Sequence, residues 1–443
     1  MSRLIALPAL LLLLLVAPAG AGAATFSVTT AVELAGALDT ADSNDADDVI
    51  EIAAGATTLA GVAGYAYNAA LTDEDNDITI NGHGRTISGP GVAVLQMTNL
   101  SGTGDTTVND VHLVMDATNT HGLDMQAHGT VRGVTVSGTG AVVSNGLRTH
   151  RITDVRDVTI SSSTQQGVMV EGSTATFTDL DVSGSTSRFL LSYGTVNIDG
   201  ATLHDPFDAT VTGIEAGSND SVAQVARARI AGVYRGVQAS FGGHATVTDS
   251  LITLPPSPSV ALLANDNSNP SANASIITAE RLTVVGTGNT SQFIARADGG
   301  SGTEKDQMQV AVGNSVVTAV PNGAACYENN AQSVNSVTLE RVNQEPEAAD
   351  DSTCDGSPAS GVTRTEVTAL KPGFVNAAGG DYHLRADSPL VDRGPNAIPV
   401  LFEPARDLDG AERLNDGDGD CVGELDLGAF EAQVPTAAAC LPP

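Results

Sequence analysis

Five ionisable residues stand at measured intervals along the middle of the chain: Asp124, Arg148, His150, Glu171 and Glu215. Carboxylates, a guanidinium and an imidazole are the groups from which acid–base chemistry and saccharide recognition are assembled. Their spacing follows a unit: Gly122-Leu123-x-Met125, Gly146-Leu147-x-Thr149, Gly167-Val168-x-Val170, Gly213-Ile214-x-Ala216 and Gly236-Val237-x-Ala239. The third place of each unit holds Asp124, Arg148, Met169, Glu215 or Gln238. In a strand alternate side chains face outward, so this third place is expected to be exposed. If successive units stack, neighbours in the column stand about 4.8 Å apart and Asp124 meets Arg148. His121, His128, His150 and Glu171 lie close by in sequence. The expected substrate-binding set is therefore Asp124, Arg148, His150, Glu171 and Glu215. The plainer alternative is a solvated face carrying one salt bridge.

A second set lies near the end of the chain, where Asn415-Asp416-Gly417-Asp418-Gly419-Asp420 puts carboxylates at alternate positions. Calcium takes six to eight hard oxygen ligands, and such a run lets one flexible loop supply three. An EF-hand loop counted from Asp416 needs Gly at its sixth place and Glu at its twelfth. Cys421 and Leu427 stand there, so this is no EF-hand, though Glu424 or Asp426 could close a site of another shape. The metal candidates are Asp416, Asp418, Asp420 and Asp426, with calcium as the ion. An acidic turn that is merely solvated is the alternative.

The positioning elements come from a second pattern, which returns every 21 to 27 residues from Thr107 to Thr253. It reads Val108-x-x-Val111-x-Leu113, Val131-x-x-Val134-x-Val136, Val155-x-x-Val158-x-Ile160, Phe177-x-x-Leu180-x-Val182, Ile198-x-x-Ala201-x-Leu203, Val225-x-x-Ala228-x-Ile230 and Val247-x-x-Ser250-x-Ile252. The glycines of the other unit fall between these copies, with Phe189 in place of one of them. A fixed period of this size means stacked units, none able to bury its apolar face alone. Leucine-rich repeats share the stem but place Asn or Cys three positions after its last apolar residue and return through a helix. Here those positions hold Asp116, Thr139, Ser163 and Ser185, and the return is a second strand. The fold class is therefore all-β: a right-handed parallel β-helix, a solenoid of ten to twelve turns about 50 Å long at the ordinary strand spacing.

At the ends the pattern changes. Met1-Ser2-Arg3, the apolar stretch Leu4 to Val16 and Ala21-Gly22-Ala23 read as a secretory signal over residues 1–23, cleaved near Ala23. Thr30-Ala31-Val32-Glu33 reads as a capping box opening a short helix with Val32, Ala35 and Leu38 on one face, a cap for the solenoid. Val49 to Ile52 is expected to be the first strand, and Ile78 to Ile87 the next rung. The solenoid is expected over 24–345, with further copies of the stem at Ala279, Val312 and Val334 and loops leaving the rod at 254–275 and 296–307. Cys326, Cys354, Cys421 and Cys440 suggest disulfides in an exported chain, most simply Cys326–Cys354 and Cys421–Cys440. The net charge of −32 becomes −33 once Arg3 leaves with the signal. Such a charge repels nucleic acid and anionic lipid, and no later segment is apolar enough to cross a membrane. An extracellular monomer is expected.

Residues 346–443 form a module of their own character: Asp381-Tyr382-His383-Leu384, Asp387-Ser388-Pro389-Leu390-Val391-Asp392-Arg393-Gly394, Asp407-Leu408-Asp409-Gly410, Arg413 and Asp426-Leu427-Gly428-Ala429-Phe430-Glu431. This run resembles the choice-of-anchor Q module of bacterial secreted β-helix proteins. The stretch from Thr25 to Gly89 is similar to the first rungs of the same pectate-lyase-like superfamily. The resemblance implies a β-helix and export, and it implies no reaction. Lyases of that superfamily use a Lys or Arg base, and Lys305 and Lys371, the two lysines here, fall outside the regular repeat. Of the polygalacturonase motifs only Gly82-His83-Gly84 is matched, in early rungs where glycine turns are expected anyway. The leading expectation is an exported protein that engages polysaccharide without catalysis. A polysaccharide lyase or glycoside hydrolase using Asp124, Arg148, His150 and Glu171 is the second, and an adhesive rod the third.

Overall fold

The computed structural model describes residues 23–44, 46–56, 58–69, 75–99, 103–141, 143–151, 153–206, 210–265, 274–299, 307–327, 334–347, 361–395, 406–417 and 422–433. Residues 1–22 of the expected signal segment, Cys354, Cys421, Cys440, Asp418 and Asp420 lie outside the described residues, and with them both expected disulfides.

Two parallel sheets wind into a β-solenoid of the right-handed type. One has 11 strands in strict chain order, one per turn, which falls within the expected ten to twelve turns. It is built from the glycine-led units, running from Tyr65–Asn68 through His121–Gln126, Asn145–Thr149, Gln166–Val170, Arg188–Ser192 and Thr212–Ala216 to Asn322–Tyr327. The other has 18 strands and holds the stem copies, for example Thr106–Met115, Thr174–Ser183 and Thr195–His204. Register is unbroken along the stems: Val155 pairs with Phe177, Phe177 with Ile198, Ile198 with Val225 and Val225 with Val247. One apolar cluster runs the length of the rod from Val28 to Val342. Each turn thus covers the apolar face of the next, which is why the period persists.

The larger sheet is creased. The residue just before the second apolar position of each stem takes a left-handed backbone, with φ between 49° and 56° at Asp110, Asp157, Asp179, Arg227, Asp249, Arg281, Asn314 and Arg341; the last stem begins at Leu339, which pairs with Val312, and not at Val334 as expected. Gly133 and Gly200 hold the same place. Asp, Asn and Gly tolerate this region best, and their recurrence between the two halves of the stem is the sequence signal of the crease. His83, inside Gly82-His83-Gly84, also has φ of 50° and places Nε2 2.6 Å from Glu51 Oε2, so that motif is a bend of the same sheet.

The leading glycines answer a different need. A Cβ on Gly213 would sit 2.4 Å from the Gly236 carbonyl oxygen of the next turn and 2.8 Å from Ile230 Cγ2 of the facing sheet. The glycines let two sheets and two turns converge at one corner.

The capping box is formed. The Thr30 hydroxyl accepts the Glu33 amide at 3.2 Å, and the Glu33 carboxylate accepts the amides of Thr29 and Thr30. Three expectations need correction. The helix Ala31–Ala41 buries Leu34, Ala37, Leu38 and Ala41, while Val32 is 82% exposed, because the solenoid end meets the helix one position round from the expected face. The first strand is Ala24–Val28, pairing with Asp48–Ile52, so the helix is a crossover between two strands of one sheet. The expected loop at 254–275 contains the strand Ser259–Asn265, the glycine-led strand of its turn with Ala261 in the glycine's place.

A final strand, Gly361–Thr365, continues the large sheet beyond residue 345. The motif residues after it dock against the crease. Asp249 receives Arg281 Nε and Nη2 at 2.8 and 2.9 Å and Arg413 Nη2 at 2.7 Å. Arg413 Nη1 reaches Glu431 at 3.1 Å, and Asp407 accepts the amides of Asp409, Ala411 and Glu431. Arg229 pairs with Asp409, and Phe430 lies beneath both His383 and Arg229.

Candidate functional site

The outer surface of the eleven-stranded sheet carries the expected set. Cα register stacks Gln96, Asp124, Arg148, Met169, Leu191, Glu215, Gln238, Leu263 and Arg296 in one column. Asp124 and Arg148 are neighbours, as the spacing required. His150 and Glu171 follow their strands and fall on successive turns beside them, because the amide of His150 is bonded to Met125 and that of Glu171 to Thr149.

Four of the five candidates converge. Arg148 is the hub: Nη2 donates to Glu171 Oε2 at 2.7 Å, and Nη1 lies 3.9 Å from Asp124 Oδ2. Asp124 Oδ2 accepts the Gln126 amide at 2.7 Å. His150 Nδ1 is 3.1 Å from Glu171 Oε2, and its Nε2 is 3.8 Å from Asp124 Oδ1. Glu215 does not join them. It lies four turns further along, about 19 Å at the ordinary strand spacing, and is engaged by Arg188 and by the Ser240 hydroxyl at 2.6 Å.

The exposure expected for the third place is wrong for three of its residues: Asp124, Glu215 and Gln238 are 1%, 3% and 3% exposed. Alternation sends these side chains outward, but the long polar chains on either side fold across them. Arg148 and His150 lie over Asp124, and Arg188 and Ser240 lie over Glu215. Pointing away from the core is therefore not the same as meeting solvent.

Sequence reasoning left out Asn145 and Gln126 and gave His121 no role. His121 is buried, with Arg148 Nη1 3.2 Å from Nε2 and Asn145 Nδ2 3.1 Å from Nδ1. Arg148 can only donate, so His121 Nε2 must be the acceptor. Burial, the largest influence, and the Arg148 charge hold His121 below its ordinary pKa, against the pull of Asp124 and Glu171. A neutral His121 then carries its proton on Nδ1, and Asn145 must present its oxygen there. That orientation also gives Asn145 Oδ1, otherwise buried without a partner, its hydrogen bond.

His150 is likewise held below its ordinary pKa, by burial first and by Arg148 second, against Glu171 and Asp124. With the proton of neutral His150 assigned to Nδ1, the nitrogen nearer a carboxylate, the lone pair on Nε2 faces Asp124 Oδ1. Both atoms are buried and neither has a hydrogen-bond partner within the protein. Two acceptors 3.8 Å apart cannot bond to each other. A hydroxyl or a water between them could donate to either.

No protein-family model matches the chain, and no curated protein is similar to it. Two clefts of the described surface lie elsewhere. One of about 300 Å³ is lined by Asp179, Arg227, Arg229 and Leu408, where the crease meets the C-terminal module. Another of about 530 Å³ is lined by Gln344, Arg364 and Glu366 near the end of the rod.

Of the metal candidates, Asp426 is buried, and its two oxygens accept the amides of Asp392 and Ala432 at 2.9 and 2.6 Å. Among the described residues no three His, Cys, Asp or Glu side chains are grouped to hold a metal ion. No described helix is long and apolar enough to cross a membrane.

Proposed function

We propose that this is an exported protein that binds polysaccharide on the outer face of its glycine-led sheet. The observation that carries the reading is the facing pair Asp124 Oδ1 and His150 Nε2, two buried polar atoms 3.8 Å apart without a hydrogen-bond partner. Sugar hydroxyls are the donors that complete such a pair, and Arg148, Gln126 and Asn145 add donors and acceptors around it. Export is supported by the leader-like segment at residues 1–23. Immobilised neutral polysaccharides are expected to retain the protein. Asp124→Ala should weaken binding by roughly 10- to 100-fold, the worth of hydrogen bonds to a charged group. Isothermal titration of both proteins measures it, and equal affinity would sink the assignment of the site.

A second reading is supported by the neutral His150. An imidazole with a free lone pair at neutral pH is a competent general base, and Glu171 lies 3.1 Å from its other nitrogen. Release of reducing ends or of unsaturated sugars in the same samples, abolished by Arg148→Ala, would favour a hydrolase or lyase over a binding protein.

Calcium belongs to the proposal through the carboxylates of 416–420. Alternate oxygens suit the ion, while Asp426 is occupied with the backbone. Calorimetry on the full chain is expected to show binding at millimolar calcium or below, lost in Asp418→Asn. A flat titration refutes it.

A further inference from the structure

The same sheet carries a second polar cluster that the site described above leaves unused. Arg188 and Ser240 hold Glu215, Gln238 Nε2 lies 3.3 Å from Asn265 Oδ1, and Arg296 donates to Asp298 at 2.7 Å. Here too a buried polar atom lacks a partner: Gln238 Oε1, on a side chain 3% exposed. The two clusters belong to the same columns of the sheet. Asp124 and Gln238 are five turns apart in unbroken register, about 24 Å at the ordinary strand spacing. Between them the polar character stops. Met169 and Leu191 fill the central column, and Tyr193, two residues after Leu191 and on the same face, is 42% exposed with its ring close to Gly217.

Charge on this face is unlike that of the chain as a whole. Arg148, Arg188, Arg235 and Arg296 are matched in number by Asp124, Glu171, Glu215 and Asp298, while the chain carries −32. Three of the four arginines are paired with these carboxylates, and the Arg235 guanidinium stacks over Tyr234. A polyanion would therefore find few unclaimed cations here and a strongly repelling surround.

We propose that the two clusters are subsites of one track, which takes a neutral, linear polysaccharide lying parallel to the rod axis, with Tyr193 as the platform between them. The proposal rests on the saccharide reading of the Asp124 cluster and adds the second subsite, the direction of the chain and its lack of charge. Each cluster offers buried acceptors to hydroxyls, and the apolar saddle suits a sugar ring face. Engagement of both ends by one molecule makes the second contact intramolecular.

The test is a length series. Cello-, manno- and xylo-oligosaccharides from dimer to octamer are titrated into the full chain, beside oligogalacturonates of the same lengths. For a neutral series that binds, affinity should rise steeply once the oligomer spans both clusters, by roughly 100-fold between shortest and longest. Tyr193→Ala, at an exposed position that leaves the core untouched, and Gln238→Ala should each lower octamer affinity about tenfold and leave dimer affinity at the Asp124 cluster unchanged. Thermal unfolding of both variants serves as the folding control. Affinity that is complete at the dimer, or octamer binding indifferent to both substitutions, overturns the track while leaving the first site intact. Tighter binding of the oligogalacturonates overturns its neutral character. Absence of binding to every series removes the saccharide reading itself, and the track with it.

Discussion

Arg413→Ala is expected to destabilise the docked C-terminal module by about 3–5 kcal/mol, the usual cost of removing one partner from a buried ion network. Arg413 is 1% exposed on its side chain and joins Asp249 of the solenoid crease to Glu431 of the module, with Gly428 accepting a further bond. Its removal leaves Glu431 without its cation and Asp249 with Arg281 alone, in surroundings that water does not reach. Urea denaturation combined with limited proteolysis measures the effect. The expected pattern is early cleavage after residue 370 while the rod remains resistant. A shift below about 1 kcal/mol, the range of an exposed pair, would show that the network does not hold the module.

The same contact is expected to make stability depend on pH. Burial, then the neighbouring Asp426, pushes the Glu431 carboxyl up to about 7, against Arg413 and the Asp426 amide. Burial likewise raises Asp426 to about 6, against the amides of Ala432 and Asp392 that it accepts. A carboxyl whose pKa is higher in the folded state binds its proton more tightly there. Its stabilising contribution is fully present below the unfolded value, near 4.5 for Glu431, and is lost as pH rises through the folded value near 7. At 1.36 kcal/mol per unit the Glu431 shift corresponds to about 3 kcal/mol between those limits. Denaturation at pH 5 and pH 8 should therefore find the docked module firmer at pH 5. Glu431→Gln, which cannot titrate, should flatten that slope. An unchanged slope in the variant would assign the dependence to other groups.

Much of the fold was legible because its cause is local and repeated. Val155, Phe177 and Ile198 recur at one spacing since each must lie over the last, and a repeat in sequence is then a repeat in space. Gly213 and its counterparts were visible as a pattern, although their reason, the carbonyl of the next turn, is a contact between turns. The crease was written in Asp110, Asp157 and Asp179 and went unread, because left-handed positions occupied by Asp also look like ordinary polar spacers. The helix face at Leu34 and Ala37 was missed by one position, since periodicity fixes the width of an apolar stripe better than its centre.

The candidate site divides in the same way. Sequence alone determined that Asp124 and Arg148 are neighbours, because strand pairing at a fixed period leaves no freedom in the matter. Only the tertiary structure decided that Asp124 lies beneath Arg148 and His150 instead of in solvent, that His121 and Asn145 complete the cluster, and that Glu215 belongs to another. Those outcomes depend on where long side chains fold across their neighbours, which strand register does not specify. Arg413 meeting Asp249 across 164 residues is the extreme case: no period links the two, and only the docking of the module onto the crease brings them together.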